Sequence, residues 1–264
     1  MPAKNERIMW FDEAKKLIDK ADGEVGLLVK NLNSGETFCN DKINERFPAA
    51  STIKVHILLA LFDAAFEGQV DLNAASPASP ENIVGGSGVV QFLSQKLPFT
   101  LLDHAVMMID LSDNSSSNKL IDVLGIDVIN DRCRKLGLNN SILARKFMDF
   151  EARDRGLENF TTCKDLLTAF EIVFNNPAKY ELALKILKQQ MVSDLLPFLT
   201  PLDEYEFAHK TGSLPGMGIR HDAGIMYLSD PVFIAFMTKG FKKDLDAIRL
   251  ANDIGLLIYE NYKT

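Results

Sequence analysis

The chain reads as an α+β fold, in which an antiparallel β-sheet is flanked by N- and C-terminal helices and an all-helical domain is inserted between the sheet's two halves. Three observations predict this. β-Rich runs lie only near the two ends of the chain, the stretch from about 70 to 200 is mostly helical, and an amphipathic helical segment both opens and closes the sequence. The division that follows is 1–50 with 200–264 for the sheet domain and 51–199 for the helical domain, with the cleft between them as the place for a site.

In order along the chain, residues 7–21 carry Ile8, Phe11, Ala14, Leu17 and Ile18 at helical spacing with lysines opposite. Glu24 to Leu32 is a β-rich run, Asn33-Ser34-Gly35 a turn, and Glu36 to Cys39 the returning strand. From Ser51 to about Glu67 the pattern is helical, apolar nearly all round and stopped by Gly68. A helix without a polar face belongs in the middle of a structure. Pro/Gly/Ser breaks at 76–80 and 85–88 interrupt the helical region. β character returns at Tyr205–Lys210, Gly218–Leu228 and Val232–Met237. The last helix, about 241–262, carries Leu245, Ile248, Ala251, Ile254, Leu257 and Ile258.

The 264 residues have ordinary soluble composition, 47% hydrophobic and 25% charged, enough for a large buried core. A net charge of −7 argues against nonspecific binding to nucleic acid or anionic membranes, so recognition of an anionic ligand needs a local basic site. The polar start, Met1 to Arg7, lacks the apolar core of a secretory leader, which points to a cytoplasmic chain, or to an extracytoplasmic one if a leader has been removed. The longest apolar stretch, Val55 to Phe66, is too short to span a bilayer. Cys39, Cys133 and Cys163 have no C-x-x-C spacing and read as reduced, small apolar side chains.

Three short words carry the chemistry: Ser51-Thr52-Ile53-Lys54, Ser112-Asp113-Asn114 and Lys210-Thr211-Gly212. An S-x-x-K alone is weak evidence, expected by chance roughly once in a chain this long, and Ser116-Ser117-Asn118-Lys119 is a second. S-D-N and K-T-G are each much rarer. Ser51 opens the buried helix, where the helix dipole favours negative charge on a nucleophile. Lys54 lies one turn away on the same face, and burial lowers a lysine's pKa, fitting it to act as a base towards Ser51. The Ser51 N–H is a natural oxyanion donor. The Ser112 hydroxyl can relay a proton, Asn114 can contact a substrate or hold Lys54, and Asp113 can brace the turn. Lys210-Thr211-Gly212 ends a predicted strand, along which a substrate amide can lie while Lys210 faces its carboxylate. A side chain at Gly212 obstructs that approach. Ser213 continues this edge, and Arg220 is a second carboxylate anchor. Each word also has a bland reading: a capped helix start with a snorkelling lysine, a polar helix junction, and a strand-to-turn exit.

Other constellations are weaker. His56, His104, His209 and His221 offer partners for a Ser-His-Asp hydrolase, but Gly85-Gly86-Ser87-Gly88-Val89 lacks the last glycine of a nucleophile elbow and reads as a flexible loop bordering the cleft. His209, His221 and Asp222 lack metal-ligand spacing, so no metal is expected. Gly216-Met217-Gly218 does not continue into a phosphate-binding fingerprint.

The three words in this order resemble the signature set of class A β-lactamases and penicillin-binding proteins. FPAASTIKV around Ser51, LSDNSSSN around Ser112, NFTTCKDL at 159–166 and HKTGSLPG around Lys210 are similar to that family's segments, and the resemblance covers the whole chain. It implies a covalent acyl-enzyme on Ser51, formed from a β-lactam or a D-Ala-D-Ala-like peptide by a monomer without a cofactor. It also implies a deacylating glutamate on a loop before Thr161-Thr162, here Glu151, with Glu158 as the fallback. The family's loop carries an asparagine four residues later, where this chain has Arg155, and the segment to Thr161 is short. The expected function is therefore a β-lactamase, with a slowly deacylating penicillin-binding hydrolase and a non-catalytic module of the same fold as alternatives.

Overall fold

The computed structural model describes residues 4–94 and 96–263, with side chains from Met9 onward. The polar start at 1–3 and the Ile8 side chain lie outside the described residues. The chain forms α1 (Lys4–Asp19), β1 (Glu24–Asn31), β2 (Thr37–Cys39), β3 (Phe47–Pro48), a 3-10 turn (Ala50–Ile53) and α2 (Lys54–Phe66). Next come α3 (Leu101–Asp110), α4 (Asn114–Leu124), α5 (Ile126–Lys135), α6 (Phe150–Asp154), β4 (Phe160–Thr161), α7 (Cys163–Asn175) and α8 (Pro177–Lys188). The chain closes with β5 (Glu206–Leu214), β6 (Ile219–Tyr227), β7 (Pro231–Lys239) and α9 (Asp244–Tyr262).

Five strands pair in the order β2-β1-β7-β6-β5, all antiparallel, so the first strand of the chain docks against the last. Alternate residues of a strand face opposite sides, and this chain fills both faces with apolar groups. In β7, Val232, Ile234 and Phe236 pack with Trp10, Ile254 and Ile258 of the terminal helices. Phe233, Ala235 and Met237 pack on the other face with α2 and α7. This is why the β7 run reads as continuously hydrophobic rather than alternating. β3 and β4 form a separate two-stranded ladder, Phe47 opposite Thr161, that sequence reading did not anticipate because two-residue strands carry no periodicity. No helix among the described residues is long and apolar enough to cross a membrane.

α2 is the axis of the helical region, buried from Lys54 to Ala64. Gly68 ends it in the left-handed region at φ +72°, while the Gly68 and Gln69 amides donate to the Ala65 and Ala64 carbonyls. β5 runs past its predicted C-terminal end and β7 past both of its predicted ends, while β6 is one residue shorter than predicted at each end. β5 continues four residues past Lys210 to Leu214 because the ladder to β6 persists to the Leu214–Ile219 pair. Lys210-Thr211-Gly212 therefore lies within a strand, and the turn falls at Pro215–Gly218.

Two buried histidines tie the core to pH. His56 on α2 is buried, and that burial lowers its pKa from 6.5 to about 4. Burial does the same to His221, whose Nε2–H donates to the Pro48 carbonyl at 2.9 Å while Nδ1 accepts the Thr238 amide. Both are neutral in the fold. As pH falls below 6.5 the unfolded chain takes up protons that the folded chain refuses down to about 4. Stability present above pH 6.5 is therefore lost across that window, by roughly 3 kcal/mol per histidine. Urea unfolding of wild type and His56→Leu at pH 7.5, 5.5 and 4.5 tests this: the variant should lose its stability less steeply. Parallel profiles would take His56 out of the account.

Candidate active site

The residue before the nucleophile candidate is held against its preference. Ala50 has φ +47°, a left-handed conformation that costs a non-glycine residue about 1–3 kcal/mol. Its neighbours enforce it: the Ala49 amide donates to Asn159 O at 2.7 Å, and His221 grips the Pro48 carbonyl. Ser51 then sits in the 3-10 turn ahead of α2, partly exposed. In 3-10 geometry residues i and i+3 eclipse, which stacks Lys54 on the Ser51 side of the turn.

Lys54 is fully buried, with Nζ 2.7 Å from Ser112 O, 3.1 Å from Ser112 Oγ and 3.0 Å from Asn114 Oδ1. Burial, helped by the charge of Lys210, holds its pKa well below the usual lysine value. Ser112 meets it because α3 ends at Asp110 and Ser112 turns at φ +52°, which directs both its carbonyl and its hydroxyl towards Lys54. Asp113 caps α4 through the Ser116 amide, and its other oxygen accepts the Val89 and Val90 amides.

The loop at 85–88, expected to be flexible, is instead tied down. The Asn114 amide donates to Ser87 O and its Nδ2 to Gly85 O. Gly88, at φ +103°, passes so close to Asp113 that a Cβ would lie 2.1 Å from Oδ2. The loop edges the cavity through Gly86 and Ser87, as expected.

On the opposite wall, Lys210 is fully buried and donates to Thr211 O at 3.0 Å. Burial draws its pKa down to about 7 against the pull of Asp222 and Asp110. Thr211 is also buried. Gly212 also has a packing role that the sequence did not suggest. A Cβ there would sit 3.0 Å from the Thr52 amide nitrogen and 3.1 Å from that of Ser51, so the glycine lets β5 press against the nucleophile's own turn. Arg220, the second carboxylate anchor expected, is not among the described cavity-lining residues. Its Nη2 donates to Asp244 at 2.9 Å, and Asp244 accepts the Gly216 and Gly218 amides, so the arginine braces the β5–β6 turn. His209 bonds Asp222 at 2.8 Å while His221 serves Pro48 and Thr238, so these three do not converge.

Ser51, Asn114 and Ser213 open onto a cavity of about 510 Å³; Lys54, Ser112, Lys210, Thr211 and Gly212 are buried next to them. Glu151 does not join them. It is exposed on α6 and absent from the cavity lining, to which the same helix contributes Phe150 and Arg153 instead. Arg155, its expected companion, is the exposed C-cap of α6. Glu158 does line the cavity, but it is held by Arg145 Nη2 at 2.7 Å and faces Arg153 Nε at 3.5 Å.

The group beside Lys54 is Phe147, whose ring centroid is 4.4 Å from Nζ. Sequence reading missed it. Asn118 clamps it from both sides, accepting the Phe147 amide at 2.8 Å and donating to its carbonyl at 3.1 Å. One signal was available: Asn118 is four residues after Asn114 on α4 and therefore shares its face. Its partner, 29 residues away, carries no local mark.

With this geometry in place, the likeness to known proteins is specific. Residues 11–262 match the model of a family described as the β-lactamase enzyme family. A β-lactamase from Sphaerobacter thermophilus superposes with a TM-score of 0.86 at 25% identity over 96% of this chain and 97% of its own. PBP-A does so with a TM-score of 0.86 at 27% identity, over 100% and 97%. A point variant of PBP-A, solved as its acyl-enzyme complex with penicillin G, matches at 26% identity and 0.86, over 100% and 99%.

Proposed function

Because the chain belongs to the β-lactamase enzyme family, we propose that it is a serine acyl-transfer enzyme of the penicillin-binding kind, captured by β-lactams on Ser51 and slow to release them. The observation that carries the second half is Phe147 in contact with Lys54, with Glu151 outside the cavity. In the proposed cycle Ser51 Oγ attacks the lactam or D-Ala-D-Ala-like carbonyl. Its proton passes to Lys54, whose charged form burial disfavours, and Ser112 returns it to the leaving nitrogen as the C–N bond breaks. The Ser51 N–H and the adjoining edge of β5 receive the oxyanion, while Lys210 and Thr211 face the substrate carboxylate. The sheet body, 1–50 with 200–264, and the helical body, 51–199, supply the two walls.

Hydrolysis of the acyl-enzyme needs a base to activate water. The one carboxylate in the described cavity lining, Glu158, is engaged by two arginines, and Phe147 offers no base. This favours the slowly deacylating alternative over a turning-over β-lactamase. Intact mass followed over time with excess benzylpenicillin tests the reading. An adduct of one penicilloyl mass should appear in wild type and persist for many minutes, and none should form on Ser51→Ala. Penicillin consumed catalytically without a lasting adduct would restore the β-lactamase reading. No adduct and no consumption would rule out capture.

A further inference from the structure

We propose that Arg153 selects an anion on the acyl side chain of the substrate, held in the outer, apolar-walled part of the cavity. This rests on the reading of Ser51 as the acylated residue. The segment that lacks a base supplies one wall, through Phe147, Met148 and Phe150, and the β5–β6 turn supplies the facing wall, through Leu214 and Met217. Phe150 is 54% exposed and Met217 38%, so large apolar surfaces stand in water beside the nucleophile. Apolar surface lining a concavity with a few polar groups is the usual form of a small-molecule site. The wall is held in place: Met148 sits at φ +62° between the Asn118 clamp on Phe147 and the Asp149 cap of α6.

Charge sets the second half of the preference. Among the described lining residues of this region, two arginines, Arg145 and Arg153, face the single carboxylate of Glu158, a local excess of one positive charge in a chain of net −7. Arg145 is nine-tenths buried and takes Glu158 at 2.7 Å. Arg153 is one-third exposed, reaches the same carboxylate only at 3.5 Å, and rests its Nη2 on the neutral Met217 sulfur at 2.8 Å. A guanidinium has five donors, so Arg153 retains capacity for an incoming anion. The Arg220–Asp244 pair that braces the facing turn keeps Met217 opposite it.

Four penicillins that share a nucleus separate these contributions: 6-aminopenicillanic acid without an acyl group, benzylpenicillin, its carboxylated analogue carbenicillin and its aminated analogue ampicillin. Their dissociation constants for Ser51→Ala, measured calorimetrically, report the subsite whether or not acylation occurs. Benzylpenicillin should bind at least about tenfold tighter than 6-aminopenicillanic acid, and Phe150→Ala in the same background should narrow that gap. Carbenicillin should bind about tenfold tighter than ampicillin, and Arg153→Gln should bring their ratio to within about twofold of one. Equal affinities for 6-aminopenicillanic acid and benzylpenicillin would overturn the apolar subsite. A carbenicillin-to-ampicillin ratio unmoved by Arg153→Gln would overturn the role of the arginine. Absence of an adduct on the protein with Ser51 intact would instead count against Ser51, while the affinity ratios still decide the subsite.

Discussion

Replacing Phe147 by glutamate should shorten the life of a Ser51 penicilloyl adduct by roughly 10²-fold or more, the usual yield of a positioned general base. The position is prepared for it. Phe147 is gripped at both backbone atoms by Asn118, and its side chain already reaches Lys54, which in turn bonds Ser112 and Asn114. A carboxylate there would lie within the cavity that Ser51 opens onto. The substitution also has a cost. An anion beside Lys54 favours the charged amine, so initial capture by Ser51 should slow even as release quickens. Intact mass against time gives both rates in one experiment. If the adduct on Phe147→Glu lasts as long as on wild type, the missing base is not what limits release, and access of water becomes the cause to seek. Glu151→Ala is the control, and its adduct should be as long-lived as that of wild type, because Glu151 stands outside the cavity.

Lys54→Met should slow acylation by roughly 10²- to 10⁴-fold while leaving the protein folded. Methionine matches the lysine stem and keeps α2 packed. The change removes a buried amine whose charged form burial already disfavours, so little electrostatic stabilisation is lost. It strips donors from Ser112 O and Asn114 Oδ1, at about 1–3 kcal/mol for buried acceptors left without partners. A fall of a few degrees in melting temperature is expected. Second-order rate constants for benzylpenicillin capture, with circular dichroism alongside, separate the two effects. Acylation within about threefold of wild type would remove Lys54 as the base and leave it as a brace for Ser112.

The sequence by itself determined the class of this protein and named most of the residues that meet at its centre. Period-2 and period-3.6 patterns placed the sheet strands and the terminal helices to within a few residues, because one-sided burial imposes those periods locally. The three words around Ser51, Ser112 and Lys210 were legible because each is a short run whose residue types are unusual together. The buried environment of Lys54 was legible too, since a helix apolar on every side must lie inside. Tertiary structure alone decided what surrounds that centre. Whether a loop carboxylate reaches Lys54 depends on how the 144–160 segment is closed, by Asn159 on the Ala144 and Arg145 amides and by Asn118 on Phe147. These are contacts between residues distant in sequence, with no periodicity to announce them. The resemblance therefore pointed to Glu151, and the fold leaves Glu151 outside the cavity and sets the Phe147 ring beside Lys54. Gly212 and Arg220 carry the same lesson. Their residue types suited a substrate role, and the close approach of β5 to the Ser51 turn and the pairing with Asp244 show structural roles that the sequence did not. A residue's type states what it can bond, and only packing decides which partner is within reach.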